Sequence, residues 1–85
     1  MKLKNGYTLV EKEDYFTVLA PDGSEIKSFN LNKYSVFLWN CIEKENLTST
    51  ELLNRLLAIF PISTVLGLGE IDTFIKKCKE NGILE

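Results

Sequence analysis

Apolar and polar positions change their rhythm once along this chain, near Leu31. Ahead of that point, apolar residues come in short bursts broken by turn formers. Behind it, they recur at three- and four-residue spacing to the end, the period of a helix with one buried face. The first half predicts strands at residues 7–10 and 15–19, with the charged turn Glu11-Lys12-Glu13-Asp14 between them. Pro21-Asp22-Gly23 predicts a second turn, since Pro presets φ, Asp bonds its own backbone and Gly tolerates positive φ. A third strand, about Glu25 to Leu31, completes the expected three-stranded antiparallel meander. It is half-polar on both faces, as suits an edge whose backbone groups stay open to a further strand.

The second half predicts three helices. Asn32 can cap the first, and Tyr34, Phe37, Leu38, Cys41 and Ile42 fall on one stripe with Trp39 beside it. Thr48-Ser49-Thr50-Glu51 is a capping box for the second helix, with Leu47 placed to staple onto Leu52. Leu53, Leu56, Leu57 and Phe60 continue that helix until Pro61 stops it. The third begins softly. Ser63 or Thr64 can cap it, but Gly67 and Gly69 follow, each costing about 1 kcal/mol against Ala inside a helix. The pattern therefore predicts a short turn and then a firm helix from Leu68 to Asn81, with Gly82 and Ile83 closing it. The fold class expected is α+β, winged helix-turn-helix-like, with an N-terminal three-stranded antiparallel sheet followed by three helices. Eighty-five residues make one domain, 1–85.

Composition narrows the function classes. Ten basic residues against twelve acidic leave a net charge of −2, which argues against a nucleic-acid binder. Lys76, Lys77 and Lys79 form the one basic cluster, and Glu70, Asp72 and Glu80 on the same predicted helix offset it. The chain has no His, so neither a general base near neutral pH nor an activated Ser or Cys is evident. No enzyme activity and no cofactor are expected. Cys41 and Cys78 lack metal-ligand spacing and read as small core residues in a reducing compartment. Gly67-Leu68-Gly69 lacks the Lys-Ser/Thr of a phosphate loop. The acidic residues at 11–14 read as a solvated turn. No secretory signal or membrane span is evident, so a cytoplasmic location is expected.

The joint carries a resemblance. Leu31-Asn32, three residues Lys33-Tyr34-Ser35, then Val36-Phe37-Leu38 and Trp39, set between strands and helices, resembles the PqqD-like family of RiPP recognition elements. The Thr-led second helix from Thr48 to Leu57, the run Glu70-Ile71-Asp72-Thr73-Phe74-Ile75 and the closing Gly82-Ile83-Leu84 extend the similarity over residues 7–85. The resemblance implies a non-catalytic adaptor. It would capture the leader segment of a ribosomally made precursor peptide by strand addition to the third strand, then deliver it to a separate peptide-modifying enzyme. The implied peptide contacts are Glu25, Ile26, Lys27, Ser28, Phe29 and Asn30 on the strand. On the third helix they are Leu68, Ile71, Asp72, Ile75, Lys76 and Lys79, with Phe74, Cys78 and Trp39 left to the core. The alternative is a winged-helix DNA-binding regulator. An open edge also suits a homodimer.

Overall fold

The computed structural model describes residues 1–27, 29 and 31–85. Strands β1 (Thr8–Glu11) and β2 (Phe16–Leu19) pair antiparallel, with Thr8 opposite Leu19 and Glu11 opposite Phe16. Lys12 N–H donates to the Tyr15 carbonyl at 2.7 Å and closes the hairpin. The Pro21–Gly23 turn forms as the sequence suggests. Asp22 accepts from the Ser24 amide at 2.9 Å and from its hydroxyl at 2.6 Å. Three helices follow, α1 (Lys33–Lys44), α2 (Ser49–Ile59) and α3 (Thr64–Glu80). The class is α+β, with a two-stranded antiparallel sheet among the described residues.

The expected third strand is where structure and sequence part. One bridge pairs Leu19 with Glu25, made by Ala20 N–H to the Ser24 carbonyl and Ile26 N–H to the Val18 carbonyl, at 2.8 and 2.9 Å. Beyond it the Ile26 carbonyl accepts from Phe29 N–H at 3.3 Å, so the chain turns instead of continuing the ladder. Phe29 is the cause. Its ring is 4% exposed and meets Trp39 and Phe74 edge-on, at centroid distances of 6.1 and 6.0 Å. A segment half-polar on both faces has little to hold it flat on a sheet, whereas an aromatic wedge in the core gains burial and edge-to-face contact. Ser28 and Asn30 lie outside the described residues.

The helices start and stop where their side chains allow. Asn32 Oδ1 accepts from Ser35 N–H at 2.9 Å and caps α1. The Thr48–Glu51 capping box is complete, with reciprocal bonds of 3.0 and 3.1 Å, and Leu47 and Leu52 are both buried beneath it. The expectation for α3 needs correction: it begins at Thr64, capped by the Ser63 hydroxyl at 3.1 Å, and runs through both glycines. Gly67 is buried against α2, where an added Cβ would meet Leu53 Cδ1 at 3.0 Å and Leu57 Cδ2 at 3.3 Å. The missing side chain lets the two helices approach, which offsets the propensity cost. At the other end Gly82, at φ 65°, donates to the Lys79 carbonyl, and Ile83 donates to that of Cys78. This is the Schellman pattern.

Trp39, Leu38, Leu52, Leu56, Ile71, Phe74 and Ile83 centre the core. The indole N–H of Trp39 donates to Glu43 Oε2 at 3.1 Å, so a full-size Trp is buried with its one donor satisfied. The two ends of the chain also pair: Leu3 bridges Leu84, with Lys4 N–H to the Ile83 carbonyl at 2.8 Å. No helix among the described residues is long and apolar enough to cross a membrane.

The two α3 glycines should respond oppositely to alanine. Nothing lies within 4 Å of a Cβ at Gly69. Gly69→Ala should therefore stabilise by about 1 kcal/mol, raising the melting temperature by roughly 4–8 °C in a domain of this size. Gly67→Ala should gain much less, or lose stability, because Leu53 must move. Equal gains in thermal unfolding would contradict the close-approach account.

Candidate functional site

Two elements carry the residues singled out above, the 25–29 segment and α3. The segment leaves the sheet after Ile26 and is tied to α3 through the Phe29–Phe74 contact. A second tie lies at the head of α1, where Asn32 Nδ2 donates to Glu70 Oε2 at 3.2 Å. One residue thus caps α1 through its oxygen and grips α3 through its nitrogen. Together these contacts fix where α3 sits beside the joint.

The expected contact residues divide by exposure. Glu25 and Lys27 are exposed and Ile26 is half-buried. Ser28 and Asn30 fall outside the described residues. On α3, Leu68 is 46% exposed, Asp72, Lys76 and Lys79 are exposed, and Ile75 is half-buried. Phe29 and Ile71 are core residues, 4% and 1% exposed, so each can form a floor but presents almost no surface to a ligand. Ile71, Phe74 and Cys78 share the buried face of α3, which packs against α1 and α2, and Phe29 meets that face at Phe74.

The structure also brings forward residues that the sequence predicts only as strand. Tyr15, Phe16 and Thr17 line an open depression of about 440 Å³ with Glu25, Ile26, Lys27 and Phe29. It is the space left where the 25–29 segment turns away from β2. An adjoining depression of about 540 Å³ shares Tyr15 and Phe16 and runs past the hairpin to Asn32 and Lys33. The signal in the sequence was Tyr15 beside Phe16. Neighbouring residues on a strand face opposite ways, so one of two adjacent aromatics must face outward; Tyr15 is 51% exposed. A second feature is an apolar patch at the start of α3, where Val65, Leu66 and Leu68 are 81%, 45% and 46% exposed.

Both cysteines are free thiols, and burial pushes the Cys78 thiol up to about 12. Cys41 is also shifted up by burial, against the opposing pull of Arg55, which pairs with Glu45. Raised thiols are poor nucleophiles at neutral pH, because the thiolate is the reactive form. Among the described residues no cluster of three or more metal-ligating side chains occurs. On α3, Lys77 lies 3.9 Å from Glu80, which leaves Lys76 and Lys79 flanked by Asp72 as a mixed rim.

Comparison with known proteins is informative at the level of structure. No protein-family model matches the chain, and no curated protein sequence does. Solved structures match it along its whole length. TbiB1 in complex with the TbiA(beta) leader peptide superposes with a TM-score of 0.74 at 16% identity, covering 100% of this chain and 95% of that one. The chain has the fold of that protein. A lasso peptide synthetase B1 complexed with its leader peptide matches with a TM-score of 0.72 at 13% identity, over 99% and 95% of the two chains. Both were solved holding the class of ligand that the PqqD-like resemblance implies.

The Cys78 shift has a measurable consequence. A thiol whose pKa is higher folded than unfolded contributes stability that is complete below its unfolded value, near 8.5, and is lost as pH rises toward the folded value. The urea midpoint of the wild type should fall between about pH 9 and 12 more steeply than that of Cys78→Ala. Parallel profiles would show that Cys78 ionises as freely in the folded chain as in the unfolded one.

Proposed function

We propose that this chain is a non-catalytic adaptor that binds the leader segment of a precursor peptide and delivers it to a separate modifying enzyme. The observation that carries the proposal is the match of the entire chain to two structures that hold leader peptides. The resemblance of the Leu31–Trp39 joint to PqqD-like proteins supports it independently, since it was read from residues and not from shape.

In this reading the peptide lies extended against the 25–31 segment. Backbone hydrogen bonds provide affinity and side-chain pockets provide selection, as in other strand-addition complexes. Leu68 and Ile75 on α3 supply apolar contact, and Asp72, Lys76 and Lys79 supply a charged rim that sets register more than strength. Phe29 and Ile71 act from beneath, holding the segment and the helix at a fixed separation. A DNA-binding role finds no support in the charge distribution, because the α3 lysines are interleaved with acids and one of them is paired.

The test is a titration of the isotope-labelled protein with a synthetic leader peptide from a precursor gene beside its own. Saturable shifts should cluster in residues 25–31 and 68–79. Leu68→Asp should weaken binding by about tenfold or more while leaving the circular dichroism unchanged, since Leu68 is half exposed and a desolvated apolar anchor is worth about 1–3 kcal/mol. Trp39→Ala is unsuited to the purpose. Truncating a fully buried Trp costs about 3–5 kcal/mol and endangers the fold itself. Absence of binding, or binding that falls steeply with salt and is competed by DNA, would defeat the proposal.

A further inference from the structure

Helix α1 carries apolar side chains on two sides. Ser35, Leu38, Trp39 and Ile42 are buried in the core. Lys33, Phe37, Cys41 and Lys44, at i, i+4, i+8 and i+11, fall on a second stripe that the core does not take up. Where α2 runs beside this stripe, two adjoining depressions of about 330 and 240 Å³ open, and Phe37, Cys41 and Arg55 line both. Ala58 and Ile59 form the far wall, with Ile59 61% exposed. The strip continues into half-buried rings, since Phe60 meets Phe37 at 5.5 Å and Tyr34 at 4.9 Å. A contiguous apolar surface of this kind marks an interaction site more often than scattered exposed side chains do.

Charge says what fits there. Lys33 stands over one end, its ammonium 5.1 Å from the centre of the Tyr34 ring and 6.0 Å from that of Phe60. Lys44 and Arg55 line the other end, with Glu45 as the one acid among the lining residues. Glu45 is taken by Arg55, and among the described residues Lys44 makes no ion pair. The groove is thus locally basic in a chain whose net charge is −2. Two helices also offer no open ladder, because their backbone groups bond along their own axes. An occupant must satisfy its own backbone, as a helix does and an extended segment does not.

We infer that the α1–α2 groove docks an amphipathic helix of a partner protein, with its apolar stripe on Phe37 and Ile59 and carboxylates opposite Lys33 and Lys44. Those two lysines lie about 16 Å apart along α1, so the docked helix spans about three turns. The groove shares no residue with the 25–31 and 68–79 contacts, so the inference stands apart from the peptide-binding reading and both surfaces can be filled together.

The test is to pan the full chain with a displayed library built on an Ala-rich helical scaffold of about 18 residues, one face and its flanks randomised. The expected pool has Leu, Ile or Phe at three- and four-residue spacing, flanked by Asp and Glu. With the enriched peptide, amide shifts of the labelled protein should cluster in residues 33–45 and 55–60. Ile59→Asp should weaken it about tenfold or more with the circular dichroism unchanged. Lys44→Glu should weaken it about two- to fivefold, the range of exposed ion pairs. A pool with basic flanks or no flanking preference, shifts confined to residues 25–31 and 68–79, or no enriched helix at all would overturn the inference. So would a mass that doubles with concentration in the wild type but not in Ile59→Asp, since a second copy of this chain would then fill the groove.

Discussion

The placement of Phe29 governs the rest of the molecule. Its ring fills the angle between Trp39 on α1 and Phe74 on α3, edge-on to both. In a chain of this length the core is small, and one aromatic touching two helices is a large share of it. Anchoring Phe29 there fixes the segment to α3 and draws it off the sheet at the same time. The position of α3 beside the joint and the opening beside β2 both follow from that contact.

The helices show how far sequence carries. Asn32, Thr48 with Glu51, and Gly82 with Ile83 each predict a boundary through a named hydrogen bond, and each bond is present. Caps are legible because donor and acceptor lie within four residues. The start of α3 was not legible, since Gly67 is explained by Leu53 and Leu57 on another helix. Propensity alone counts the cost of a glycine and is blind to a neighbour that needs the space. The pairing of Leu3 with Leu84 escaped for the same reason, as nothing local marks two chain ends as partners.

Part of the exposure pattern was legible: Leu68, Asp72, Lys76 and Lys79 lie outward on α3, and Phe29 meets that helix at Phe74. Alternation on an isolated strand could not decide which face would be buried, so Phe29 reads as a peptide contact in the sequence whereas its ring lies in the core. Nor could it reveal Tyr15 and Phe16 as pocket residues, because the pocket lies where the chain turns after Ile26. A local conflict between half-polar patterning and one strong core aromatic is where a sequence-level account is expected to give way, and such places often coincide with function.

Shape comparison and sequence resemblance, from independent starting points, both support the proposal that this chain binds a peptide. The most direct test of that account is a structure of this chain with a bound leader peptide. The account predicts a short extended stretch of peptide in backbone contact with the 25–29 segment, with Phe29 unmoved between Trp39 and Phe74. A peptide bound as a helix, or seated away from both the segment and α3, would contradict it.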